Sequence, residues 1–234
     1  MNKIIFFDST LRDGSHAVGH QISADNIKNY CQKIDDAGLH TVIVGHGNGL
    51  GASSLQVGLS ALTDDEMIST ARKELKKTKL GAFLIPGFGT IKDNINPAID
   101  LGVDLFCVAI HCTEADVTRQ HIEYVRKKGK DAYGILMMYH RTPKERLLEE
   151  ALKMQSYGAQ GIILMDSAGA STPQMVSETV KHLSDNLDVK VGFHAHNNLG
   201  LAVSNSLIAI QSGASIIDGT LRCFFFALGG IIHH

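Results

Sequence analysis

A chain of 234 residues with 44% hydrophobic content can bury one barrel-sized core, so a single domain is the expected organisation. A formal net charge of −2, with Lys and Arg spread along the chain, leaves no basic stripe; this argues against nucleic acid or an anionic membrane and for a small-molecule partner. The four cysteines (Cys31, Cys107, Cys112 and Cys223) match no zinc or redox spacing, the N-terminus carries no secretion signal, and no apolar run reaches the ~18 residues that span a bilayer, so a reduced, cytoplasmic setting is expected.

The first predicted element is the apolar run "KIIFF" at residues 3–7, a buried strand. It runs straight into "DSTLRDGSHAVGHQ", which packs Asp, Arg and His into one short polar stretch. The second strand lies in "GLHTVIVGH", opened by Gly38 and closed by His46. It is followed by the glycine-rich "GHGNGLGASS", which fits neither GxGxxG nor a Walker sequence and reads as a tight loop letting backbone approach a site. "KLGAFLIPG" supplies the third strand and "GVDLFCVAIH" the fourth, ending at His111. "GKDAYGILMMYH" is the fifth, ending at His140, and "GAQGIILMDS" the sixth, ending at Asp166 and Ser167. "VKVGFHAHN" is the seventh and "GASIIDGT" the eighth, with Asp218 near its end.

Between the strands lie amphipathic stretches. In "TPKERLLEEALKMQSYG", Pro143 marks a helix start, Leu147, Leu148, Ala151, Leu152 and Met154 follow helical spacing, and Gly158 marks the stop. "TPQMVSETVKHLSDN" repeats the Thr-Pro opening. Successive glycines at 38, 102, 129, 158 and 213 are spaced as one or two copies of a unit of about 27 to 32 residues, one strand plus one crossover helix. Near-continuous apolar strands alternating with helices predict an α/β fold with a parallel sheet, and eight units predict a closed (β/α)8 TIM barrel. In such a barrel the polar strand ends gather at one mouth, although any single residue such as His46, His111 or His140 is also what a strand end meeting solvent would carry.

His194 and His196, one residue apart on a strand, project to one side, while Val191, Phe193 and Ala195 face the other. Two imidazoles and one carboxylate with open positions make a competent divalent-cation site, and Asp13 is the natural third ligand.

These residues carry a family resemblance. "TLRDGSHAVGHQ" resembles the first-strand motif of metal-dependent aldolase and lyase barrels, which include the isopropylmalate and homocitrate synthases and hydroxymethylglutaryl-CoA lyase. "VGHGNGLGASSLQVG", "AIHCTEADV", "MDSAGA" and "GFHAHNNLGLAVSNS" are similar to the 4-hydroxy-2-oxovalerate aldolase branch, over residues 4 to 222. "RDGSH" places His16 where the acyl-CoA condensing enzymes usually carry Glu-Gln.

The resemblance implies a carbon-carbon lyase that cleaves a 4-hydroxy-2-oxo acid to pyruvate and an aldehyde. It implies Asp13, His194 and His196 as metal ligands, with Mn2+ first and Mg2+ or Co2+ as alternatives. Arg12 is expected to stabilise developing charge and His16 to act as general base. Arg12, Asp13, Ser167 and His194 are expected to touch the substrate; Leu84, Ile85 and Pro86, at the end of the third strand, fit equally as walls of the aldehyde pocket or as ordinary core residues. The family's usual partner is an acylating aldehyde dehydrogenase. Competing readings are an acyl-CoA condensing enzyme and a non-catalytic, metal-binding barrel.

The C-terminus departs from the family. Relatives of this branch continue past the eighth strand into an eighth helix and a helical region that supports assembly and supplies a substrate-contacting tyrosine. Here the chain reads "FFFALGGIIHH" to His234. The expected division is a catalytic barrel over 1–222 and an atypical apolar tail over 223–234, truncated relative to the family. A groove left on the barrel wall is expected to drive homo-oligomer formation or to leave a marginally stable monomer.

Overall fold

The computed structural model describes residues 3–221, so Cys223 and the expectations placed on the apolar tail lie outside the described residues. Eight parallel strands close a barrel in sequence order, and β1 pairs with β8 to complete the circle. They are β1 (Ile5–Asp8), β2 (Thr41–Ile43), β3 (Lys79–Leu84), β4 (Leu105–His111), β5 (Asp131–Met137), β6 (Gly161–Asp166), β7 (Lys190–Ala195) and β8 (Ile216–Gly219). Each expected strand is present. The helices outside are α1 (Ala24–Ala37), α2 (Asp64–Glu74), α3 (Asn96–Asp100), α4 (Arg119–Lys127), α5 (Lys144–Ser156), α6 (Pro173–Asn186) and α7 (Ala202–Gln211).

Local chemistry explains where the helices begin. Ser23 and Asn26 form a reciprocal cap on α1, and Thr63 and Glu66 do the same on α2. Thr172 caps α6, with Pro173 in its first turn. Gly38 ends α1 in a left-handed conformation, φ +68°, that closes the helix and turns the chain into β2.

Strand parity sorts the apolar side chains into two cores. Val42, Leu80, Phe106, Leu164 and Phe193 pack outward against the helices. Phe7, Ile43, Phe83, Leu105, Tyr133, Ile135, Ile163 and Ile216 fill the barrel interior. Burying each such large apolar side chain is worth roughly 1.5 to 3 kcal/mol. Gly192 belongs to the interior layer, where a Cβ would stand 2.8 Å from Ile163. Cys31, Cys107 and Cys112 are buried free thiols.

Parity also decides between the two readings of the third strand's end. Leu84 faces outward into the helix layer, so it does not wall a pocket in the barrel mouth; Ile85, next along, packs against the interior cluster. No described helix is long and apolar enough to cross a membrane. Among the described residues no helix follows β8, and a largely apolar cavity beside α7 runs from Phe6, Val203, Leu207 and Ile210 to Asp13, His194 and His196.

Candidate active site

The polar residues singled out in the sequence converge at the C-terminal ends of β1, β7 and β8. After β1 the chain turns sharply, and a 3-10 turn over Asp13–Val18 carries Asp13 and His16 across the barrel mouth. His194 is on β7 and His196 one residue beyond it, so both face inward while Val191 and Phe193 join the outer core. Asp13 Oδ2 lies 3.6 Å from His194 Nε2 and 3.5 Å from His196 Nε2. One ligand atom from each of the three lies within 4.8 Å of the others.

The fit to a cation rests on the donor atoms. His194 Nδ1 is committed to Asp218 Oδ2 at 2.8 Å, and His196 Nδ1 to the Ser167 carbonyl at 2.8 Å. This leaves both Nε2 atoms aimed at Asp13, and the buried His194 Nε2 has no hydrogen-bond partner. Imidazoles oriented from behind by a carboxylate and a carbonyl are the usual outer shell of a metal ligand set.

The two backing groups were not assigned in the sequence reading. Asp218 sits opposite His194 in the β7–β8 register, so its strand position carried the signal. It also accepts a 2.6 Å bond from the Ser9 hydroxyl. Ser167 acts on His196 through its carbonyl, which no side-chain identity reveals. Its hydroxyl accepts from Met138 N at 3.1 Å, supporting a left-handed Met138, φ +57°.

Arg12 is buried at 3% exposure beside the cluster. Its Nη1 donates to Asp13 Oδ1 at 3.0 Å and to the Gly47 carbonyl at 3.3 Å, and Nη2 reaches Ser9 Oγ at 3.4 Å. The guanidinium lies 4.3 Å from the centre of the Phe83 ring, and its Nε donor is buried with no acceptor. Gly47, in the glycine-rich loop after β2, also meets His16: a Cβ there would overlap the imidazole. The expected close backbone approach is therefore what the loop provides.

Environment sets the charges. Burial pushes the Asp13 carboxyl up, but Arg12 and the two histidines outweigh it and hold it well below the usual range. Burial depresses His194, yet the Asp218 and Asp13 carboxylates raise it to about 9. His16 is lowered to about 4, by burial first, with Arg12, His20 and His46 adding to it against the pull of Asp13. His16 is thus neutral near pH 7, as a proton acceptor must be.

His46, His111 and His140 lie at strand ends as expected but outside the ligand cluster. His111 Nδ1 is 2.9 Å from Thr113 Oγ1, His140 Nδ1 is 3.5 Å from Asp166, and His46 is fully buried against His20.

The HMGL-like family model matches residues 3–224. The chain is 54% identical over 222 residues to the 4-hydroxy-2-oxovalerate aldolase of Pectobacterium atrosepticum, covering 95% of this chain and 65% of that one. It is 52% identical over 221 residues to that of Spirochaeta aurantia, covering 94% and 65%. The chain thus spans about 65% of the length of these curated relatives. In fold it is similar to the carboxyl transferase domain of Rhizobium etli pyruvate carboxylase, with a TM-score of 0.82 at 17% identity over 95% of this chain and 40% of that one. Because the match runs from β1 to beyond β8 and so takes in every strand that positions the site, the chain belongs to the HMGL-like family.

Proposed function

We propose that residues 1–222 form the catalytic barrel of a divalent-metal-dependent aldolase, a carbon-carbon lyase. Its substrate class is a 4-hydroxy-2-oxo acid such as 4-hydroxy-2-oxopentanoate, cleaved to pyruvate and an aldehyde such as acetaldehyde. The observation that carries this reading is the Asp13, His194 and His196 cluster, flanked by the unpaired Arg12 Nε donor and a neutral His16. The identity to curated aldolases supports the same substrate class.

Asp13, His194 and His196 would hold the cation, Mn2+ by preference, with Mg2+ or Co2+ as alternatives. When bound, it supplies Lewis acidity toward the carboxylate and keto oxygens of the 2-oxo acid. His16 takes the proton of the 4-hydroxyl. The C3–C4 electron pair then moves to C3, the C4–O bond becomes the aldehyde carbonyl, and negative charge grows on the 2-oxo oxygen. Arg12 Nε–H is the available donor to that oxygen, and buried, pre-oriented donors of this kind are worth several kcal/mol in a transition state. A proton returned to C3 completes pyruvate. Ser167, one residue beyond β6 and beside His196, is proposed as a further substrate contact through its hydroxyl hydrogen. Ile85 is proposed as a wall toward the aldehyde carbon.

We further propose a cytoplasmic setting, supported by the three buried free thiols. An acylating aldehyde dehydrogenase is the proposed acceptor of the aldehyde. Self-association is proposed through the groove beside α7, supported by exposed Phe6, Val203 and Leu207.

The test is pyruvate release from 4-hydroxy-2-oxopentanoate by metal-stripped protein with and without added Mn2+, alongside His16→Ala. Mn2+-dependent turnover that falls roughly 100-fold or more in the variant is expected. No turnover by folded, Mn2+-binding protein would overturn the aldolase reading for this chain.

A further inference from the structure

Behind His16 stands a second imidazole that the proposed reaction leaves unused. His20 is buried and its backbone is left-handed, φ +62°, a conformation rare for a residue with a Cβ. Such a backbone persists where the surroundings over-determine it, and here they do. The His20 ring stacks on His46 with centroids 3.7 Å apart and planes 23° from parallel. Its Nδ1 lies 3.0 Å from Ser15 Oγ, which donates to the Arg12 carbonyl at 2.6 Å. Gly58 closes on it so tightly that a Cβ would stand 2.6 Å from His20 Cδ2.

His46 is itself fixed. Its Nδ1 accepts from Asn48 N at 3.0 Å and its Nε2 donates to the Gly58 carbonyl at 3.1 Å, so one neutral tautomer satisfies both nitrogens. His20 then presents its ring to His16 edge-on, with centroids 4.9 Å apart and planes 70° from parallel. On another side of His16 is Gly47, which leaves no room for any side chain. The loop after β2 therefore reaches His16 through Gly47 and through His46, whose ring stands edge-on to His16 at 6.3 Å and also backs it by way of His20.

We propose that His20, stacked on His46 and anchored on Ser15, is a positioning residue that holds the His16 imidazole against Gly47 in a single orientation beside Arg12 and Asp13. The kinetic consequence rests on the aldolase reading; the geometric one does not. A base displaced by about 1 Å can lose on the order of 100-fold in rate, so the restraint acts on kcat.

Two variants and two readouts test this in the full chain. His20→Asn keeps a residue that tolerates left-handed backbone but removes the stack, whereas His20→Phe keeps the stack without the ring nitrogens. In Mn2+-loaded protein, His20→Asn is expected to lower kcat for pyruvate release roughly 10- to 100-fold with KM and Mn2+ affinity unchanged. His20→Phe keeps the stack and the edge contact to His16 but loses the Ser15 anchor, so it is expected to lower kcat less than His20→Asn does, by about 10-fold or less. Independently of activity, histidine-ring 15N–1H spectra of the substrate-free protein should show one fixed tautomer for His16, assigned by its loss in His16→Asn. That signal should become tautomer-averaged in His20→Asn and stay single in His20→Phe.

Unchanged kcat together with unchanged His16 signals in His20→Asn would overturn the proposal. So would a joint loss of kcat, KM and Mn2+ affinity, which marks collapse of the loop. If the parent protein releases no pyruvate, the aldolase reading fails and the ring spectra alone decide the positioning role.

Discussion

At Gly47 a single missing methyl group juxtaposes the two groups proposed to handle charge and proton. Its carbonyl receives Arg12 and its Cα carries the edge of His16. Gly47→Ala is expected to swing the His16 ring aside, because the far end of a side chain yields more readily than the backbone. The predicted outcome is a fall of roughly 100-fold in kcat together with a destabilisation of about 1 to 3 kcal/mol, because His16 is also packed against His20 and His46, read from turnover and urea unfolding of the same preparation. Asp218 acts on the other side of the site. With Asp218→Ala, His194 loses the partner that fixes its Nδ1, and Mn2+ affinity measured by calorimetry is expected to weaken about 10- to 100-fold. Arg12 also loses a charge partner in that change, its Nη2 lying 4.0 Å from Asp218 Oδ2, so kcat at saturating Mn2+ is expected to fall as well.

At the scale of elements, one carboxylate ties α1 to the turn leading into β3. Asp35 Oδ1 accepts from the backbone N–H groups of Lys76, Lys77 and Thr78 at 2.9, 2.7 and 2.8 Å. These bonds, Thr78 foremost, lower its pKa from 3.8 to about 2. The folded state therefore binds fewer protons there than the unfolded state between those values. The stabilisation is complete above about pH 4 and fades as pH falls through about 2. Asp35→Ala should cost roughly 1 to 3 kcal/mol at pH 7, with the gap to the parent protein narrowing on acidification in urea titrations. That tie illustrates which structure a sequence announces. The strands were readable because Gly, an apolar run and a polar stop recur at the length of one crossover unit. His194 and His196 were readable because period-two alternation fixes their common side. The close approach of the glycine-rich loop was readable, but the partners of Gly47, like those of Asp35 and the Ser167 carbonyl, were not, because each depends on backbone groups brought close only when distant turns meet. Leu84 stood between pocket wall and core for a related reason: proximity to a strand end does not by itself decide which way a residue faces.

Across the whole molecule, the candidate metal cluster spans the seam of the barrel. Asp13 sits on the turn after β1, while His194 and His196 sit at the end of β7, and β8 between them supplies Asp218. A cation bound there ties the beginning of the described chain to its far side, and it exists only when the barrel is closed. Its binding energy therefore adds to folding stability by mass action. At a free Mn2+ concentration of 100 times the dissociation constant, the increment is about 2.7 kcal/mol, equivalent to a rise in Tm of roughly 5 to 10 °C for a chain of this size. Thermal melts should show a Tm that climbs with Mn2+ and falls back on adding a chelator. Asp13→Ala should abolish the Mn2+-dependent part, since only two imidazoles remain. An undiminished shift in that variant would place the cation elsewhere and separate the metal from the cluster. Loss of the shift, with the barrel still folded, would tie metal binding to closure of the seam itself.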